Sequence, residues 1–278
     1  MQEIESTVVE IHLGGPTAYT DYPDIPERFA RDFKIHVYAD RLEKPGLLHS
    51  SIDADPADGE LVSNAIRDLG VWEVVESITM MSAFAGAPEG TRFIDFGCHV
   101  GWFSLLALSF GIETIAIDGD PRMLELLSRS RIENGFKMAP AKGGLHLRHA
   151  VIDENWKGLQ TKADNLIVKM DIEGAELHAY AKMAQYFAER KVSHCLMEVS
   201  PCFEDYYPKL VGEIIDHGYE AFVMPEKRSV PRTWMETKRF LRVNCRPLHT
   251  LWRPDVEHWI SQQHQIDVIF VRPGAAWG

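Results

Sequence analysis

Apolar positions along this chain change period repeatedly, from short continuous runs to helical stripes. Arg92 to Phe96 is the first clear run and reads as a buried strand. Gly97 and Gly101 follow it, and a helical pattern opens at Trp102 with Phe103, Leu106, Ala107 and Phe110 on one face. Glu113 to Asp118 reads as the next strand and ends in an acid. Pro121 suits a first helical turn; Met123, Leu124 and Leu127 form a stripe, and Asn134-Gly135 closes it. Leu145 to Val151 alternates as a strand, and Asn165 to Asp171 is another. A turn at Glu173-Gly174-Ala175 leads into a helix with Leu177, Tyr180, Ala181, Ala184 and Phe187 facing inward. Ser193 to Val199 is a strand, Tyr207 to His217 a helix stopped by Gly218, Tyr219 to Met224 a strand, and Gln265 to Val271 the last strand. Strands alternating with helices predict an α/β fold, with a mostly parallel sheet covered on both faces.

The ends of this pattern differ from its middle. Residues 1–59 read as an N-terminal extension, in which Thr7 to Leu13 and Phe33 to Tyr38 suggest a β-hairpin-like cap or an edge addition. Asp53 to Gly59 is a turn-rich joint. Leu61, Ala65, Ile66 and Leu69 form a helical stripe broken at Gly70, and Trp72, Val75, Ile78, Thr79 and Ser82 continue on a second helix. The main domain is expected over 60–278, with a basic and aromatic insertion at 225–264 that holds Trp234, Trp252 and Trp259.

Composition narrows the function classes. With 278 residues, 45% of them hydrophobic, the chain can bury a sizeable core. Its net charge of −12 argues against a generic binder of nucleic acid or of anionic membranes, which needs a basic surface. Lys227, Arg228, Arg232, Lys238, Arg239, Arg242 and Arg246 cluster in sequence and read first as a solvated face. Cys98, Cys195, Cys202 and Cys245 form no C-x-x-C pair, so reduced thiols in a cytoplasmic protein are expected. There is no secretory pattern at the N-terminus, and no apolar run approaches the roughly 18 residues of a membrane span. His146/His149 and His258/His264 do not have zinc spacing.

The candidate chemistry lies at the strand ends. In an open parallel sheet, ligands bind beyond the carboxyl ends of the strands, and Asp95, Gly97, Asp118, Asp153, Asp171 and Glu198 all fall there. The turn after the first run needs glycine for its sharp reversal, and the free N–H groups of the following helix favour an anion. Asp118 lies about 20 residues on, where a nucleotide-binding sheet places the acid that holds a ribose diol. Asp95-x-Gly97-x-x-x-Gly101 is not the G-x-G-x-x-G dinucleotide pattern, which weighs against an NAD enzyme.

Three strings carry a resemblance. The glycine spacing is similar to the first motif of S-adenosylmethionine (SAM)-dependent methyltransferases. Ala116-Ile-Asp-Gly-Asp-Pro121 resembles the acidic second-strand motif of FkbM-type methyltransferases, and Lys169-Met-Asp-Ile-Glu-Gly-Ala-Glu176 resembles that family's string after strand four. The likeness spans about residues 60 to 225. It implies a seven-stranded Rossmann-like sheet whose last strand is antiparallel and lies between strands five and six.

By the same resemblance the cofactor is SAM and the product S-adenosylhomocysteine. Gly97 to Gly101, with Cys98 and His99, would back its methionine part. Asp118 and Gly119 would meet the ribose, and Ile152 and Asp153 the adenine. His99 stands where the family has an Asn-like residue; its backbone N–H is expected to serve the cofactor carboxylate, with a base poised near neutral pH as the alternative. Asp120 reads as a helix N-cap before Pro121 and Glu176 as a charge in the first helical turn. Trp72 reads as core packing.

For catalysis, Glu173 is expected to be the base and Asp171 an orienter of cofactor or substrate. Asp171, Glu173 and Glu198 could supply oxygens to a divalent metal, but none is predicted. The expected reaction is O-methylation of a small metabolite, sugar or glycan unit, with no nucleic-acid or membrane partner. N-methylation, a non-catalytic SAM-binding module and a homodimer stay open.

Overall fold

The computed structural model describes residues 6–12, 34–40, 72–199, 207–223, 246–247 and 266–276. The predicted helix at Leu61 to Leu69 and all of the 225–264 insertion except Arg246-Pro247 lie outside them, as do most of residues 1–59. Strands β1 (Ser6–His12) and β2 (Lys34–Asp40) pair antiparallel, Ser6 opposite Asp40 and His12 opposite Lys34. They form a two-stranded sheet of their own, not an addition to the edge of the main sheet.

The main sheet grows from helix α1 (Val74–Gly86) and strand β3 (Arg92–Phe96) onward. Helix α2 (Trp102–Ser109) leads to β4 (Glu113–Asp118), and α3 (Pro121–Glu133) to β5 (Leu145–His149). Then come β6 (Leu166–Met170), α4 (Glu176–Ala188), β7 (Val192–Val199), α5 (Tyr207–Asp216) and β8 (Glu220–Val223). The two-residue β9 (Arg246–Pro247) and β10 (Ile266–Val271) complete it. The spatial order is β5-β4-β3-β6-β7-β10-β8-β9. β5, β4, β3, β6 and β7 run parallel, while β10 is antiparallel to both its neighbours, β7 and β8. Apart from the short β9 at the edge, this is the seven-stranded Rossmann-like order implied by the sequence resemblance. Among the described residues, no helix is long and apolar enough to cross a membrane.

Strands in this sheet read as continuous apolar runs because both faces are covered. Phe93, Ala116, Ile167, Leu196 and Ile269 point into one core with α1, α2 and α3. Ile94, Ile115, Val168, Cys195 and Phe270 point into the other, against α4 and α5. Each large side chain so buried contributes about 1.5–3 kcal/mol. Helix α2 is enclosed: Trp102 through Leu108 are all buried. Its polar groups are therefore paired inside, with Trp102 Nε1 donating to Ser77 Oγ at 2.7 Å and Ser104 Oγ donating to Asp95 Oδ2 at 2.6 Å. Trp72 packs on the same core, as expected.

Two predicted details are corrected. α4 packs Leu177, Tyr180, Ala184 and Phe187 on the core as expected, together with Ala179 and Met183, while Ala181 is exposed where the stripe placed it inward. β5 ends at His149, and Ala150 and Val151 leave the sheet with Val151 in solvent.

Polar residues interrupt the apolar alternation mainly near the carboxyl ends of the central strands, and there they share a face. Asp95 pairs in register with Lys169 of β6, and Glu198 of β7 with Asp267 of β10. By strand alternation all four stand on the α1–α2 side of the sheet.

Candidate active site

The chain runs outward from β3 through β4 to β5, then returns to place β6 on the other side of β3. β3 and β6 therefore flank the point where the strand order reverses, and ligands of such sheets bind outside the carboxyl ends of the strands there. There the two loops cross in contact. Gly97 has φ +74°, and a Cβ on it would lie 1.8 Å from the Asp171 carbonyl oxygen. The crossing is fixed by main-chain bonds: Asp171 N–H donates to Phe96 O at 3.1 Å, and the N–H groups of Gly97 and Cys98 donate to Ile117 O at 2.9 and 3.1 Å. Gly101 closes the loop with φ +86°, its N–H donating to Cys98 O at 2.8 Å and its Cα packed where a side chain would strike Leu127.

Asp118 stands on one flank of this loop. Its Oδ2 accepts from His99 N–H and its Oδ1 from Asp120 N–H, both at 2.8 Å. The carboxylate is thus fixed by main chain, with the Cys98 thiol 3.9 Å from Oδ2 as a weaker donor, and Oδ1 keeps a lone pair for a ligand hydroxyl. This corrects the expectation for His99, whose N–H serves Asp118 and not a cofactor carboxylate; its φ of +47° turns that N–H inward. Cys98 is buried, and its N–H is taken by Ile117, so it shapes the loop. Asp120 caps α3, its Oδ1 accepting from Arg122 N–H at 2.9 Å.

Beyond Asp118 the chain from β5 returns. Ala150 N–H donates to Asp118 O at 3.0 Å, and His149 Nε2 meets Gly119 O at 3.0 Å. Ile152 is buried, and Asp153 Oδ1 accepts from Asn155 N–H at 2.9 Å in the turn that follows. Val151, beside Gly119, is 68% exposed. In sequence it belongs to the string Ala150-Val-Ile-Asp153, which resembles the strand end that borders the adenine, but only Ile152 and Asp153 are expected to line the site. A bare aliphatic side chain next to a ribose-type acid is an apolar platform for a base.

Asp95 lies beneath the loop, 1% exposed, with Oδ1 unpartnered among the described residues. Burial pushes its pKa up to about 6, against the opposing pull of Lys169 and the Ser104 hydrogen bond. It supports the loop and is too deep to form the surface of a ligand site.

The other flank is acidic. Asp171, Glu173 and Glu198 each offer a carboxylate oxygen, and these lie within 4.8 Å of one another. Lys169 Nζ donates to Asp171 Oδ2 at 2.8 Å. Glu198 is driven well above the ordinary carboxylate range, first by burial and then by the charges of Asp171, Asp267 and Glu173. At neutral pH it therefore holds a proton, with its side chain hydrogen-bonded to Asp171. Glu173 is exposed at the tip of the loop with φ +54°. Its carboxyl group leans into the acidic cluster, so partial desolvation, then Asp171 and Glu176, raise its pKa. Glu176 is different: it is 1% exposed, and its Oε1 accepts from the N–H groups of Ile172 at 2.9 Å and Gly174 at 3.3 Å. It ties down the loop, as the helix-terminal reading expected. The oxygen spacing of Asp171, Glu173 and Glu198 would suit either a shared proton or a hard divalent cation.

No family model matches the chain, and no curated protein matches it. Among solved structures, the chain is similar to a geranyl diphosphate methyltransferase in complex with SAM, at 13% identity, 81% of this chain and 93% of that one, with a TM-score of 0.44. It is also similar to a TehB-like SAM-dependent methyltransferase from Corynebacterium glutamicum, at 13% identity, 78% and 100% of the two chains, TM-score 0.42. A precorrin-6y C5,15-methyltransferase from Geobacter metallireducens is similar at 11% identity, 70% and 88%, TM-score 0.41. These likenesses are remote, and the strand order and rim geometry stand without them.

Proposed function

We propose that the chain is a SAM-dependent methyltransferase of FkbM type, acting on a hydroxyl oxygen of a small metabolite, sugar or glycan unit. The observation that carries this reading is the crossing of Gly97 over Asp171, which joins a fixed ribose-type acid on one flank to a carboxylate cluster on the other. Asp118 receives the ribose hydroxyls, with Gly119 beside it. Ile152, Asp153 and the exposed Val151 border the adenine, and the Gly97–Gly101 loop backs the amino-acid part.

Bound there, the cofactor supplies a methyl group on a positively charged sulfur, already a good leaving group. The chain's own tasks are alignment and proton removal. Asp171 orients, its Oδ2 held by Lys169 Nζ at 2.8 Å. Glu173 accepts the proton of the acceptor hydroxyl, and its raised pKa brings it nearer to neutrality, where a general base is most effective. Glu198 keeps its proton and limits the charge of the cluster.

Calorimetry with S-adenosylhomocysteine tests the reading. Saturable binding is expected for the wild-type protein, with a large loss in Asp118→Ala. Absence of binding by the wild type would sink it. An amine acceptor is the second reading, because the same acid-rich rim attracts a cation. Transfer of labelled methyl groups to hydroxyl-bearing and amine-bearing compound sets separates the two.

A further inference from the structure

His99 sits midway along the Gly97–Gly101 loop in a left-handed conformation, φ +47°. Its backbone N–H goes to Asp118 Oδ2 at 2.8 Å. Its side chain is exposed, and among the described residues neither ring nitrogen has a hydrogen-bond partner. Protein nevertheless surrounds the ring closely enough for desolvation to lower its pKa, against the opposing charge of Asp118. A side chain that is open to solvent and yet hemmed in by protein forms a wall of a concavity. The charges acting on it come from two sides: Asp118 and Asp120 beyond β4, Lys169 and Asp171 at the end of β6. The ring is therefore neutral at neutral pH, so one nitrogen donates and the other accepts.

The ribose acid beside it is heavily committed. Asp118 accepts at Oδ2 from His99 N–H and, weakly, from the Cys98 thiol, and at Oδ1 from Asp120 N–H. A ribose diol brings two hydroxyls, each able to donate and to accept. The open position on Oδ1 serves both of them poorly, and a hydroxyl taken out of water without a partner weakens binding. The imidazole can supply what is missing. The residue that carries it is itself bonded to Asp118, and Asp118 is the strongest charge acting on the ring, so the two groups are neighbours on one flank of the loop.

We propose that the His99 imidazole is a binding residue for the ribose of the cofactor: one ring nitrogen takes one of the two hydroxyls while Asp118 Oδ1 takes the other. The inference rests on the SAM reading of the site.

Three ligands test it by calorimetry: S-adenosylhomocysteine, its 2′-deoxy analogue and its 3′-deoxy analogue. In the wild-type protein each missing hydroxyl is expected to weaken binding about fivefold. In His99→Ala, S-adenosylhomocysteine itself should bind about fivefold more weakly, and one deoxy analogue should now match it within about twofold, because the hydroxyl it lacks has no partner left. The other analogue should keep its full loss, since Asp118 is unchanged. A merely structural role would weaken all three ligands alike, and that pattern overturns the proposal. So does a wild-type protein indifferent to either hydroxyl, or a variant in which neither or both deletions become harmless. Thermal melting checks folding. If His99→Ala does not fold, His99→Gly removes the ring and relieves the positive φ, and the same pattern is read from it. If the wild-type protein does not bind S-adenosylhomocysteine, the SAM reading itself fails; if it binds and the pattern is absent, only the role of His99 fails.

Discussion

Gly97 and Asp171 are packed so closely that a single added carbon on Gly97 would overlap the Asp171 carbonyl oxygen, at 1.8 Å. These residues come from strands distant in sequence, and their contact lets the loops after β3 and β6 share one crevice.

Gly97→Ala is therefore expected to damage both fold and site. The φ of +74° alone makes a side chain unfavourable, by about 1–3 kcal/mol, before the clash is counted. Urea unfolding should show a loss of roughly 2 kcal/mol or more, and calorimetry should show S-adenosylhomocysteine binding abolished. Unchanged stability and binding would mean that the two loops do not touch.

Neighbouring acids on the β6–α4 loop should separate cleanly in mutagenesis. Glu176→Ala leaves the Ile172 and Gly174 N–H groups without their acceptor and should cost about 1–3 kcal/mol of stability by denaturant titration. Glu173→Gly releases a left-handed non-glycine residue and should hold or raise stability by up to about 1 kcal/mol, while methyl transfer falls at least about a hundredfold. A Glu173→Gly protein that keeps full transfer would remove Glu173 from the role of base.

Asp95 predicts a pH dependence of stability. Its folded-state pKa of about 6 lies above the ordinary value of 3.8, so the folded state prefers the protonated acid. That contribution is fully present below about pH 4 and is lost as pH rises through about 6, by about 3 kcal/mol at most. Asp95→Asn should gain stability relative to wild type across the same interval, since the amide oxygen can still accept from Ser104. Unfolding free energies measured between about pH 4 and pH 8 check this. A difference that does not vary with pH would show that burial does not raise the Asp95 pKa.

Val151→Asp tests the adenine side without touching the core. The side chain is exposed, so stability should move by no more than about 0.5 kcal/mol. Loss of its apolar contact should weaken S-adenosylhomocysteine about tenfold. Equal affinity in the variant would place the base elsewhere.

The sequence by itself determined the strands, the helices and the points where one gives way to the other. Arg92–Phe96 and Glu113–Asp118 are legible because strands buried on both faces must be apolar almost throughout, and an acid closing such a run stands at its rim. The glycines at 97 and 101 are legible as a turn for the same local reason. Only the tertiary structure decided which side chains meet. The inward stripe of α4 depends on how that helix lies on the sheet, so Ala181 faces water where its spacing suggested the core. The His99 N–H turns to Asp118 because the loop folds back on β4. Lys169 reads in sequence as one letter of a motif; its neighbours Glu73 and Asp95 come to it across the sheet and from α1. Local pattern reports backbone state and burial, which depend on near neighbours. The charge and orientation of a buried group depend on residues far along the chain, which meet only when the layers close.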